Sequence, residues 1–400
     1  MIKKIVSNTN QTCGETGVLA VMRRSVLQIV RRPLMWLGIF GLPLFMMLFI
    51  SSMFEQGLPT KVPAGIIDMD GSPLSRDITQ KLDGMQMVHL TKSCNSYGEA
   101  RDAMQRGEIY GYFLIPENFQ ADLMSGRKPD ITFYTNMAYY VPASLLFKTF
   151  KATAIYTKAG VAVSVVQSVG ENPEAAAPLL QPVNIQARGI GNPLLNYGIY
   201  LCNSFIPAAL QLMIMLMTIF SLGEEAKYGT SPELLRLAKG SARRAVFGKL
   251  FPQTLMWWVI VTFMTAWLFK YNHFPMHGSW ALILLSEYLF VVAAQCFAVF
   301  VYGLIPNLRL GLSVCALTGI LSFSIAAFSF PEQSMYPAMS IFSWLMPVRY
   351  NFLIYSDVAL NGRELFYSRF YYVAYFVYMM LPFTVMYRIK KAMAHPVYAP

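Results

Sequence analysis

Gly223 to Leu250 reads GEEAKYGTSPELLRLAKGSARRAVFGKL and stands between two long apolar runs, 197–222 and 251–269. About 20 apolar residues are enough to cross a bilayer as a helix, so each flank is a candidate span. The stretch itself opens on Glu224 and Glu225, turns at Gly229 and Thr230, and continues with Leu234, Leu235, Leu237 and Ala238 at helical spacing. Arg236, Lys239, Arg243, Arg244 and Lys249 make the remainder basic. One reading is a plain basic loop, held on one side of the membrane by the positive-inside bias. The other is a short amphipathic helix between two spans, able to take a push from a soluble partner and pass it into the bilayer.

The rest of the chain fits an α-helical integral membrane protein. Of 400 residues, 55% are hydrophobic and 13% charged, too apolar a balance for a soluble domain of this size. The net charge is +11, but the basic residues gather beside apolar runs, which indicates membrane topology and not nucleic-acid binding. Of the five cysteines, only Cys94 falls in the one large polar segment, and no CxxC occurs, so no disulfide framework is expected.

Outward from the central stretch, six spans are expected with an α/β extracytoplasmic domain between the first and second. Residues 1–33 carry a basic, amphipathic segment from Val18 to Val30, which either lies in the interface or simply flanks the next span. The first span is 34–54, free of charge and longer than a signal-peptide core, with no A-x-A site after it. Residues 55–196 alternate strand and helix patterns, which suggests a compact α/β sandwich. Strands are expected at 64–68, 87–90, 109–115 and 130–134, helices at 74–82, 97–105 and 117–124, and a long helix at 141–169. Asp68 and Asp70 stand beside Gly71-Ser72-Pro73 and read as turn and helix caps, since the spacing lacks the further oxygens of a calcium loop.

Residues 197–387 hold the other five spans, at 197–222, 251–269, 280–305, 310–330 and 370–387. Ser204, Gln211 and Thr218 recur every seven residues on one face of the second span. They either bond to a neighbouring helix or line a substrate path. Glu287 lies within the fourth span, where an acid is costly and suggests function, although its place near the outer end also allows it to reach interfacial water. Gly311, Cys315, Thr318 and Ser322 make a small-residue stripe suited to close helix contact. Thr318 and Ser322 join the candidate path. His273 and His277 are separated by Pro275, which removes the regular helix a zinc pair would need. Residues 331–368, broken by Pro331, Pro337 and Pro347, read as short outer interfacial or re-entrant helices. Segments 1–33, 223–250, 306–309 and 388–400 together hold 16 Lys and Arg, against 4 in 270–279 and 331–369, which places both termini in the cytosol.

No G-x-x-x-x-G-K-[ST], HExxH or GxSxG occurs. The chain is therefore not expected to be an enzyme, and uphill transport would draw on a separate ATPase or an ion gradient.

The central stretch resembles a signature of permease subunits of type 2 ABC exporters, R-E-x-E-x-G-T-x-E-x-L followed by a basic turn and G-K. Glu224, Glu225, Gly229, Thr230, Leu234, Leu235, Gly248 and Lys249 match it; Gly223 replaces the usual Arg, Pro232 stands where an acid is usual, and Glu233 follows one place late. Two outer-domain elements of such permeases also recur, as Asp68-Met69-Asp70-Gly71-Ser72-Pro73-Leu74-Ser75 and as Gly107 through Ile115-Pro116-Glu117-Asn118-Phe119. The resemblance implies a transport subunit in a bacterial inner membrane that exports an amphipathic or hydrophobic drug or lipid. It implies no cofactor or metal. It implies a P-loop ATPase partner docking on Glu224, Glu225, Gly229, Thr230, Glu233, Leu234 and Leu235, and a second copy or related permease. It also points to a periplasmic adaptor and outer-membrane channel. Two other classes stay open from the residues: a proton-coupled secondary transporter using Glu287, and a membrane sensor or assembly scaffold.

Overall fold

The computed structural model describes residues 16–55, 57–125, 127, 129–168, 191–192, 196–328 and 330–396, with the backbone alone for most of 156–168. Two compact units form: Leu58–Arg188, and the remainder before and after it.

In chain order the helices and strands are α1 (Val18–Arg31), α2 (Pro33–Met53), β1 (Val62–Asp68), α3 (Pro73–Asp83), β2 (Val88–Ser93), α4 (Tyr97–Gln105), β3 (Gly111–Ile115), α5 (Phe119–Met124), β4 (Thr132–Thr135), α6 (Tyr140–Ser168), α7 (Tyr197–Lys227), α8 (Ser231–Leu237), α9 (Ala242–Tyr271), α10 (Trp280–Leu304), α11 (Leu308–Ile325), α12 (Pro337–Trp344), α13 (Pro347–Ile354) and α14 (Leu365–Ala394).

The smaller unit is a four-stranded sheet in the order β2-β1-β3-β4, with β1 parallel to both neighbours and β4 antiparallel to β3. Central strands of such a sheet are buried on both faces, and β1 reads VPAGIID accordingly. Ile66 and Phe113 pack with Ile78, Leu82, Phe119 and Phe150 on one face. Ile67 and Tyr112 meet Ala100 and Ala103 of α4 on the other. The two aspartates behave as caps. Asp68 Oδ1 accepts the backbone N–H groups of Asp70 and Gly71, its Oδ2 accepts the Ser75 hydroxyl at 2.7 Å, and Asp70 accepts the N–H of Gln120 at the start of α5.

In the larger unit, α2, α7, α9, α10, α11 and α14 are each long and apolar enough to cross a membrane. The chain is a multi-pass membrane protein. Trp257, Phe290 and Tyr375 are fully buried in the interior. Large apolar side chains such as Phe45, Leu317, Ile320 and Phe376 stand exposed on the outside, as a bilayer solvent permits. The small-residue face of α11 packs on α7: a Cβ at Gly319 would lie 2.5 Å from Leu212, and Cys315 and Ser322 are fully buried. Gly319, and not Thr318, completes that face, because contacts recur at four, four and three residues from Gly311.

Residues 331–364 contain no span, and the last one begins at Leu365, earlier than the expected 370. Short helices α12 and α13 form instead, and α13 buries Pro347, Val348, Arg349, Asn351 and Ile354 among α7, α10 and α14. α13 is thus inserted between the long helices. The buried Arg349 holds this hairpin together. Its guanidinium pairs with Glu332, donates to Ser343 Oγ at 2.6 Å and stacks 4.0 Å over the Trp344 ring.

Candidate functional site

Both helices flanking the central stretch run further than the apolar runs indicate. α7 continues through Glu224 and Glu225 to Lys227, and α9 begins at Ala242, so Arg243, Arg244 and Lys249 lie in its first turns. An acid at a helix C-terminus and a base at an N-terminus both oppose the helix dipole. Each therefore gains most from a partner on another helix.

That partnering is observed. Glu225, 4% exposed, accepts from Lys249 Nζ at 2.5 Å and from Arg24 Nη2 at 2.9 Å. It also accepts from the Thr230 hydroxyl and from Gln28 Nε2 at 3.2 Å. Lys249 gives a further bond to Gln28 Oε1 at 2.9 Å. Beside it, Glu224 pairs with Arg32. Burial lowers the Arg32 guanidinium from its ordinary value, with the Glu225 charge acting against that shift. Three cations thus surround two carboxylates in a region drawn from α1, α7 and α9.

Local structure sets each member. Gly229 takes a positive φ of 66°, the left-handed cap that ends α7 and lets the Thr230 N–H return to the Glu225 carbonyl at 2.9 Å. Pro232 falls in the first turn of α8, where a missing N–H costs little. Gly248 is bare so that α1 can lie against α9: a Cβ there would meet Val21 at 2.9 Å. Ser25 Oγ donates to the Lys249 carbonyl at 2.6 Å, and Gly17 N–H to the Leu237 carbonyl at 2.8 Å. The helix α1 is thus tied to both α8 and α9.

The expected docking residues divide accordingly. Glu224 and Glu225 are largely buried and pair with Arg32, Arg24 and Lys249 of the same chain. Leu234 is 2% exposed and belongs to the chain's own core with Leu222 and Ala238. Glu233 is exposed and Leu235 partly so. Arg24 and Arg32 stand out in sequence only as basic residues of the N-terminal segment, and nothing there links them or Gln28 to the two acids. The signal available was the pair of acids at the end of an apolar helix, which has to be matched by cations from elsewhere in the chain.

The candidate path residues do not converge. Ser204 and Thr218 donate to the carbonyls of Tyr200 and Ile214 one turn back, and Thr318 and Ser322 likewise bond within α11. Gln211 does reach across: its Oε1 accepts the Val348 N–H at 2.8 Å and so caps α13. Glu287 is partly buried and accepts from Asn351 of α13 at 2.9 Å. It shares a cavity of about 30 Å³ with Asn203, Thr265 and Ser286, room for a water molecule.

A family described as ABC-2 family transporter protein matches residues 33–388. The linearmycin resistance permease protein LnrN of Bacillus subtilis (strain 168) is 25% identical over 167 residues, covering 40% of this chain and 41% of that relative. The aligned part therefore spans about two-fifths of the relative's length.

Proposed function

The chain belongs to the ABC-2 family of transporter proteins, and from that premise we propose that it is the permease subunit of an ATP-driven exporter. Its substrate would be an amphipathic or hydrophobic compound, a drug or lipid, taken from the cytosol or inner leaflet. Family membership implies an ATPase partner, and the sequence contains no P-loop of its own. The name of the Bacillus subtilis relative, a resistance permease, supports a drug-like substrate. The excess of Lys and Arg at the end of the bundle holding Glu225 supports a cytosolic position for that end, in a bacterial inner membrane. An adaptor and an outer-membrane channel have no support from either comparison and form no part of the proposal.

The observation that carries the reading is the buried Glu225 cluster. It joins the surface helices α1 and α8 to the ends of two long helices, α7 and α9. Removing one member of a buried, hydrogen-bonded ion pair costs about 3–5 kcal/mol, so the four elements move together more readily than they separate. A push on the exposed side of α8, at Glu233 and Arg236, and on Lys239 in the turn after it, is thereby carried into the spans.

The test is reconstitution with the partner P-loop ATPase. Reversing Arg236 and Lys239 together to Glu should release the ATPase while the six helices stay inserted; intact binding and coupled transport in that variant would sink the docking surface. The Glu287 cavity favours one alternative, proton coupling. Glu287→Gln separates the two: transport persists if ATP drives the cycle and is abolished if protons do.

A further inference from the structure

Away from the Glu225 cluster, helices α9, α10 and α14 leave a groove of about 460 Å³ between them. Phe251, Trp258 and Met386 line it, and Phe247 and Phe383 stand exposed on its lining. Three polar side chains, Arg243, Thr254 and Gln295, break this apolar surface. Arg243, exposed in the first turn of α9, stands at one end. Deeper in the groove lies Gln295, 4% exposed. Its Oε1 accepts the Thr254 hydroxyl at 2.7 Å, while its Nε2 has no hydrogen-bond partner among the described residues.

The spacing of these groups is informative. Thr254 follows Arg243 by three turns, about 16 Å along the helix at 1.5 Å per residue. That is about half of a 30 Å hydrocarbon core. An amide N–H at such depth is costly when unpaired, and an acyl chain offers it no acceptor. A phospholipid anchored on Arg243 keeps its ester oxygens near the surface and cannot reach Gln295 with them.

We propose that this groove is a binding site for a linear anionic amphiphile that carries a hydrogen-bonding oxygen partway along its chain. The anionic end lies on Arg243, the chain runs against Phe251, Trp258 and Met386, and the oxygen accepts from Gln295. This inference rests on the permease reading and specifies a substrate class for it.

Trp258 provides the assay. The purified chain in nanodiscs is titrated with 12-doxylstearate, whose nitroxide quenches a tryptophan in contact, and the signal is assigned by comparison with Trp258→Phe. The probe is then displaced with stearate, 12-hydroxystearate and the methyl ester of the latter. One added hydrogen bond corresponds to roughly a three- to tenfold preference for 12-hydroxystearate over stearate. Gln295→Leu should erase that preference while stearate still binds, which also shows that the variant is folded. Arg243→Gln should weaken both acids alike, and the methyl ester should behave in the native protein as the acids do in that variant. Equal displacement by the two acids, an unchanged preference in Gln295→Leu, unchanged acid binding in Arg243→Gln, or undiminished quenching in Trp258→Phe would overturn the proposal. No ATPase is needed, so failure of the groove and failure of the permease reading are observed separately.

Discussion

Glu225 accepts from four side chains, two on α1, one on α9 and one in the turn after α7. Glu225→Gln keeps its shape but leaves the buried Lys249 and Arg24 without a counter-charge. The expected loss is about 3–5 kcal/mol of stability, read as a lower midpoint of thermal unfolding in detergent. Adding Lys249→Met should recover part of that loss, since an apolar replacement of a buried pair is often tolerated. Reconstituted in vesicles with the partner ATPase, the Glu225→Gln complex should hydrolyse ATP with little transport. The acids themselves were legible, because two carboxylates at the end of an apolar run are conspicuous. Their partners were not. Arg24 lies 201 residues earlier, and one-dimensional spacing carries no sign of that contact. Sequence spacing alone therefore leaves the acids without partners, and only the fold shows them paired with Arg24, Arg32 and Lys249.

At the scale of elements, span number and order followed directly from apolar length, while helix ends did not. α7 and α9 continue through charged turns because those charges are matched by other helices, which no hydropathy pattern records. The attachment of α1 was likewise hidden, although Gly248 was visible as part of G-K. Gly248→Leu should push α1 off α9; protease sensitivity near Arg23 and Arg24 should rise with the spans still inserted. In the hairpin around α12 and α13, Arg349→Ala removes three interactions at once and should cost about 1–3 kcal/mol. Arg349→Lys should not restore it, because a lysine cannot pair and stack in the same plane. The α/β unit holds a pH-dependent element. Hydrogen bonds from Arg106 at 2.6 Å and Lys92 at 3.0 Å bring Glu108 down to about 2. Its folded value lies below the unfolded one, so its contribution is present above the ordinary carboxylate range and lost as pH falls through about 2. Glu108→Gln should remove that part of the acid sensitivity in unfolding scans of the full chain.

For the whole molecule, the α/β segment between the first two spans and the five helices after it were legible from alternation and apolar length. The packing of α13 was only half legible: three prolines argue against a span, but the capping by Gln211 and the Glu287–Asn351 bond depend on helices far apart in sequence. One chain presents one α8, and a transporter with two ATP sites calls for two such surfaces. The purified complex should therefore contain two permease chains and two ATPase chains. Native mass measurement checks this, and a complex with a single permease copy would remove the dimer.

The ties between α1 and the rest also impose an order on synthesis. Arg24 leaves the ribosome long before Glu225 exists, and at about 5–20 residues per second the interval is roughly 10–40 s. During that time Arg24 lacks the counter-charge that Glu225 later supplies. The cluster closes only once the second crossing is complete and Lys249 has followed. Nascent chains stalled before Glu225 should be cut by protease at Arg23 and Arg24, and chains stalled well past Lys249 should be protected there. Completion of the ion cluster would then act as a signal, built into the polypeptide, that its first membrane hairpin has been made correctly.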